Sequence, residues 1–304
     1  MLTKKHIYFI NVNKLLTLLS FNLTFGEIMK WITLFLTIFL IQGHNVLAQE
    51  NPVSAEISIY ENDVEKELLT RYQDDPFHLL QSLYPNENME SASWDNLIKK
   101  LKKRNKKSKS ANDKRFLEDI YLSTHQLMLN KYEEHAYFSK TLREGVYDCV
   151  TGTGLYALLL EEFDFKYQII ETDAHVYIKG QLGNKPFILE STYPINGLII
   201  GKEDVQAFEQ KVIGSIKSNP EKPLYLGKID EINTTGGTFT IIGLRELAGL
   251  QYYNDAIKKF YEEDYTGTYT QLLKAEFLYP SERIVKLKQK ISFLLTSKSE
   301  SKIH

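Results

Sequence analysis

Tyr147-Asp148-Cys149-Val150-Thr151-Gly152-Thr153-Gly154-Leu155-Tyr156-Ala157-Leu158-Leu159-Leu160 holds the sole cysteine of a 304-residue chain. Leu155, Leu158, Leu159 and Phe163 recur at helical spacing, and Ala157 and Leu160 widen the same face. The stretch therefore predicts a helix packed against a core. Asp148 stands at the N-cap position, where a carboxylate accepts from the first free backbone amides and leaves Cys149 in the first turn. The positive end of the helix dipole favours a thiolate there. The run Thr151-Gly152-Thr153-Gly154 lowers helix propensity, by about 1 kcal/mol for each glycine. Small residues at that place are expected where another backbone or a substrate passes close.

Two runs downstream complete the pattern. Asp173-Ala174-His175-Val176-Tyr177 and Ile188-Leu189-Glu190-Ser191-Thr192 are rich in β-branched and aromatic residues, and Gly180-Gln181-Leu182-Gly183-Asn184 between them reads as a turn. An antiparallel hairpin centred between Leu182 and Gly183 pairs His175 directly with Glu190. Opposed side chains of that kind have Cβ atoms about 4.5–5.5 Å apart, close enough for a carboxylate to orient an imidazole. A slip of one residue would send Glu190 to the other face of the sheet. A thiol at a helix start, then a histidine, then a carboxylate are the components of a cysteine-nucleophile site.

These residues resemble the transglutaminase-like branch of the papain-like superfamily, in which a Cys at a helix N-terminus is followed by a His on one strand and an Asp on the next. Cys149, His175 and Glu190 match those positions in order and approximate spacing, and Tyr147 to Leu159 is similar to exported bacterial members. The resemblance spans roughly residues 115 to 200. It implies an α+β fold, with N-terminal helices packed on an antiparallel sheet, and a Cys149-His175-Glu190 triad acting on a protein or peptide substrate. Glu190 is a departure, since most members carry Asp, one methylene shorter.

Composition fits an ordinary globular chain. A hydrophobic content of 43% and a net charge of −2 give neither a nucleic-acid nor a disorder signature, and nineteen Tyr and sixteen Phe supply core material. Met29-Lys30, the apolar run Trp31 to Ile41 and the small-residue site Val46-Leu47-Ala48 predict a signal peptide cleaved after Ala48, with Met29 as the true start. The alternative is an N-terminal membrane anchor, but the eleven apolar residues fall short of the roughly twenty that span a bilayer. Export to the periplasm or beyond follows, with no membrane span after cleavage. One cysteine permits no intramolecular disulfide.

Four segments are expected: a signal region at 1–48, an N-terminal helical segment with a basic linker at 49–111, a catalytic core at 112–243 and a helical tail at 244–296. Ile57 to Tyr60 reads as a strand, Asn62 to Leu69 as a helix, and Asp75-Pro76-Phe77 as a helix start with proline at its first position. Asn112 to Leu142 reads as one long helical pattern, Lys202 to Ile216 as a helix, and Leu198 to Ile200 and Thr238 to Ile242 as strands. The basic run from Lys99 to Lys109 reads as a solvated helix end and loop rather than a patch for an anionic polymer. From Leu244 to Ser281 the pattern is similar to one tetratricopeptide-type helix pair, with Asp264-Tyr265 at the turn, then Ala275 and Pro280. One such pair cannot bury its own face, so it packs on the core or on a protein partner.

An oxyanion hole needs a donor besides the Cys149 amide, and Gln126, His125 and Tyr147 are the candidates. His125 and His135 lack companions at metal-ligand spacing, so neither a metal nor a cofactor is expected. Two classes of function remain. In the first, Cys149 attacks a carbonyl, His175 moves protons and Glu190 orients His175, hydrolysing a peptide, isopeptide or amide bond, or crosslinking proteins where a lysine amine replaces water. In the second, the fold and its tail form a binding module with a vestigial triad.

Overall fold

The central helix is apolar on every side, which is the mark of a helix surrounded by protein. The computed structural model describes residues 58–86, 90–106, 114–173, 175–218 and 239–301; the expected signal region and cleavage after Ala48 lie outside them. In chain order the helices are α1 (Asp63–Arg71), α2 (Pro76–Leu80), α3 (Ala92–Asn105), α4 (Lys114–Leu127), α5 (Phe138–Glu144), α6 (Cys149–Glu162), α7 (Lys202–Ser218), α8 (Leu244–Tyr261), α9 (Tyr265–Leu278) and α10 (Glu282–Ser301). The strands are β1 (Lys131–Tyr132), β2 (Val146–Tyr147), β3 (Lys166–Glu171), β4 (Val176–Leu182), β5 (Lys185–Leu189), β6 (Leu198–Ile200) and β7 (Thr240–Ile242). The architecture is α+β, and the described residues belong to one compact unit, residues 58–304.

The main sheet has the order β6-β5-β4-β3-β7 and is antiparallel throughout. Its strands alternate with period two. Ile169, Val176, Ile178, Phe187 and Leu189 join the large core that contains α6, whereas Ile170, Tyr177 and Ile188 form a second cluster with Val205 of α7. The sheet is therefore covered by α6 on one face and by α7 on the other. Residues 149 to 160 of α6 are all buried, among α2, α4, α5, α8 and the strands β3 and β4.

Local chemistry explains the helix starts. Asn62, Asp75 and Ser91 cap α1, α2 and α3 through side-chain oxygens, and Pro76 takes the first position of α2. Four expectations are corrected. Ser58 to Tyr60 is not strand. The pattern from Asn112 to Leu142 is two helices: α4 stops at Leu127, and the chain runs through β1 before α5 begins at Phe138. The tail carries a third helix, α10, which continues past residue 296 to Ser301. The hairpin turns at Gly183-Asn184 alone, with Leu182 opposite Lys185 and Ile178 opposite Leu189, so its centre lies one residue later than expected. Gly183 has φ +59°, which suits glycine in a two-residue turn.

The tail is bound into the core. α8 packs on α2, α6 and β7, and α9 and α10 stack on it in turn. Lys274 of α9 and Glu65 of α1 form a fully buried ion pair at 2.7 Å, with the Tyr252 hydroxyl donating to the same carboxylate at 2.9 Å. On the other side, Lys102 of α3 pairs with Glu162 at 2.6 Å and Arg104 pairs with Asp119. The described part of the basic run thus tethers α3 to α4 and α6. Among the described residues, no helix is long and apolar enough to cross a membrane.

Candidate active site

Cys149 opens α6, and the cap beneath it is complete. Asp148 accepts from Thr151 N at 2.8 Å and from Thr151 Oγ1 at 3.1 Å, while Asp148 N donates to Thr151 Oγ1 at 3.0 Å. This reciprocal capping fixes the first turn. Asp148 is 2% exposed, and burial lifts its pKa to about 6 against the hydrogen bonds from Thr151, Val150 and Asn254, which pull it down.

His175 precedes β4, in a loop that closes on itself. Thr172 N donates to the His175 carbonyl at 2.7 Å, Thr172 Oγ1 donates to it at 3.0 Å, and His175 N donates back to Thr172 Oγ1 at 3.0 Å. Glu190 follows β5. Both residues lie beyond the paired positions, which end at Ile178 opposite Leu189, so the local hydrogen bonds of Thr172 and Thr192 rather than the strand register bring them together. His175 Nε2 lies 2.5 Å from Glu190 Oε2. Glu190 is wholly buried, and its other oxygen accepts from Thr192 N and Thr192 Oγ1, each at 2.8 Å.

Cys149 completes the cluster. Burial alone would lower the His175 pKa, but its hydrogen bonds to Cys149 and Glu190, and the charges on both, raise it well above the ordinary imidazole value. With Nε2 committed to Glu190, Nδ1 is the ring nitrogen left for Cys149. The three residues singled out in the sequence are therefore contiguous: thiol, imidazole, carboxylate.

The oxyanion candidates separate. Gln126 is exposed and accepts from Lys100 Nζ at 3.4 Å, so it is engaged elsewhere. The His125 ring sits among Tyr121, Tyr147 and Tyr156, with both nitrogens shielded from solvent and without a hydrogen-bond partner. Burial pushes its pKa down to about 4, against a smaller upward pull from Glu190. The Tyr147 pKa is raised by burial and then by Glu190. His125 and Tyr147 thus share the surroundings of Glu190, and Gln126 does not. Cavities of about 340 and 250 Å³ lie elsewhere; neither is lined by Cys149, His175 or Glu190. Among the described residues, no group of three or more His, Cys, Asp and Glu is arranged to hold a metal ion.

Sequence reading missed several supports. Thr192 holds Glu190, Thr172 shapes the His175 loop, and Tyr121 pins the segment after Glu190 by donating to the Tyr193 carbonyl and accepting from Gly197 N. A threonine two residues beyond a carboxylate was a usable local signal for the first; nothing in the sequence marked Tyr121. No protein-family model matches the chain, and no curated protein or solved structure matches it.

Proposed function

We propose that this chain is an exported cysteine-nucleophile acyl-transfer enzyme of transglutaminase-like type, on a papain-like core, that hydrolyses a peptide, isopeptide or amide bond. The observation that carries the proposal is the imidazole held by Glu190 through Nε2 and hydrogen-bonded to Cys149 as well, which leaves Nδ1 for the thiol. Nδ1 takes the thiol proton, and Cys149 Sγ attacks the substrate carbonyl to form a tetrahedral oxyanion. Collapse gives a thioester and expels the amine, which leaves with the proton returned by His175. Water, deprotonated by the same nitrogen, then cleaves the thioester to a carboxylic acid and the free thiol. A lysine amine in place of water would form an isopeptide bond instead. The capped helix start contributes its Cys149 amide to the oxyanion.

The His175 side chain is 26% exposed while Cys149 is 6% exposed, so substrate approaches along the imidazole edge. The burial of Cys149 is also what favours the second reading, a binding module that no longer turns over. One experiment decides. The protein is incubated with a peptide thioester library, with and without a lysine peptide, and intact mass reports acyl-Cys149. Acylation that requires both Cys149 and His175 supports the enzyme, and the product identifies the acceptor. Turnover that survives Cys149→Ala would refute it.

A further inference from the structure

Glu171 is the last residue of β3 and lies opposite Val176, directly before the loop that carries His175. It is a buried carboxylate, 5% exposed, and the groups that neutralise it come from the tail. Tyr279, just beyond α9, donates its hydroxyl to Glu171 Oε2 at 2.5 Å, and the Arg283 guanidinium of α10 donates to Glu171 Oε1. The same guanidinium lies 4.9 Å from the Tyr253 ring centroid of α8, so a second tail helix holds it in place. One residue beyond Glu171, Thr172 makes the three bonds that set the His175 backbone. The chain from α10 to the imidazole is thus guanidinium, carboxylate, strand end, threonine turn, histidine. A second tail contact reaches the other half of the site, where Asn254 of α8 hydrogen-bonds Asp148, the cap of the helix that starts at Cys149.

We infer that Arg283 and Tyr279 are positioning residues for His175, acting through Glu171, so that the C-terminal helices are a working part of the nucleophile site. This rests on the proposed roles of Cys149 and His175 only for its catalytic consequence. The geometric claim concerns His175 alone. Docking of α10 holds the strand end, the strand end holds the Thr172 turn, and the turn holds the ring within reach of Glu190. Any partner that displaces α10 would switch the site off without touching it.

The test reads the His175 ring directly. The Hε1 resonance of His175 is followed against pH in the full chain and in Tyr279→Phe, which removes one hydrogen bond and leaves every charge in place. The groups that act on the ring are Glu190 and Cys149. Loosening the loop weakens the Glu190 bond, so the titration midpoint falls, by about one pH unit. Arg283→Met gives an independent sign. Loss of a nearby cation acting only through space would raise the midpoint, whereas loss of position lowers it, and Arg283→Lys restores part of the difference. Iodoacetamide labelling of Cys149 near pH 6 is expected to drop roughly tenfold alongside. An unchanged His175 midpoint in Tyr279→Phe, or a raised one in Arg283→Met, overturns the inference whether or not the chain is an enzyme. A lowered midpoint with labelling indifferent to His175→Ala would instead uphold the positioning and sink the proposed function.

Discussion

Glu190→Gln changes one atom and reverses the proton inventory of the site. Glu190 Oε1 accepts from a backbone amide, Thr192 N, and from Thr192 Oγ1. A backbone N–H can only donate, so the glutamine carbonyl oxygen must take that side. Its NH₂ group then faces His175 Nε2, where the carboxylate oxygen had been at 2.5 Å. An NH₂ donor obliges Nε2 to accept, which moves the single proton of a neutral ring to Nδ1, the nitrogen toward Cys149. The imidazole then has no lone pair for the thiol proton and no carboxylate to stabilise its cation. A hydrogen bond to a charged group contributes about 1.5–3 kcal/mol, which corresponds to roughly a ten- to 150-fold slower reaction. The assay is the rate of Cys149 alkylation by iodoacetamide from pH 5 to 9.5, with circular dichroism confirming the fold. At neutral pH the variant should be slower by that factor, recovering only as solution hydroxide ionises an ordinary thiol near pH 8.5. A profile superimposable on the parent would refute both the tautomer assignment and the role of Glu190.

Burial makes Asp148 more costly when charged: its folded pKa, about 6, lies above the unfolded value, so the stability it contributes is complete below about pH 4 and lost as pH rises through 6. Asp148→Asn keeps a capping oxygen and should flatten that loss, which is on the order of 3 kcal/mol, in urea melts taken across this pH range. His125 has the opposite sign: its depressed pKa, about 4, gives stability present above about pH 6.5 and lost as pH falls through 4. His125→Phe should remove about 3 kcal/mol of acid sensitivity in the same melts, and an unaltered acid limb would show that the ring is hydrated. Lys274→Met strands Glu65 at the buried pair and should cost about 3–5 kcal/mol, whereas Lys274→Met with Glu65→Gln should cost much less; equal losses would contradict an uncompensated charge as the cause.

How much of this was legible depended on the range of each interaction. The α6 cap was readable because Asp148 and Thr151 are three residues apart and their hydrogen bonds are local. The strands around His175 and Glu190 were readable from β-branched composition. Their pairing was displaced by two residues because Gly180 to Leu182 reads as turn yet stays in the ladder, where the Phe187 ring packs on Gly180. His175 and Glu190 fall just outside that ladder, so their meeting beside Cys149 comes from the turns made by Thr172 and Thr192 and was not legible from the register. The break after Leu127 was illegible, because apolar residues continue at helical spacing. What breaks the helix is tertiary: Asn130 N and Lys131 N both donate to the Gly145 carbonyl, drawing the chain back toward β2. The clamp on Glu171 joins residues more than a hundred positions apart, and the sequence carries no sign of it.

The glycines of α6 were expected to admit a close neighbour; at Gly152 that neighbour is the segment carrying Glu190, whereas Gly154 faces Leu80, Leu247 and Phe138 at ordinary distances. A Cβ on Gly152 would lie 2.6 Å from Ser191 Cβ and 2.7 Å from Ser191 Oγ, while Thr153 Oγ1 donates to the Val176 carbonyl at 3.3 Å. Ser191 is wholly buried and lies between Glu190 and Thr192, the two residues whose hydrogen bonds fix the carboxylate. Gly152→Ala therefore sets two effects against each other. Alanine gains about 1 kcal/mol of helix propensity, and the overlap costs about 1–3 kcal/mol because the neighbour is backbone-linked rather than a free side-chain tip. Net stability should fall by up to about 2 kcal/mol, and Cys149 labelling near neutral pH should fall further than stability accounts for, because Glu190 is moved off Nε2. Ser191→Gly relieves the overlap, and its hydroxyl has no hydrogen-bond partner whose loss would confuse the comparison. The double variant should then recover labelling that neither single change explains, a coupling readable in a double-mutant cycle. Additive effects on labelling would mean that α6 and the Glu190 segment do not communicate through this contact, and that the glycine serves the helix alone.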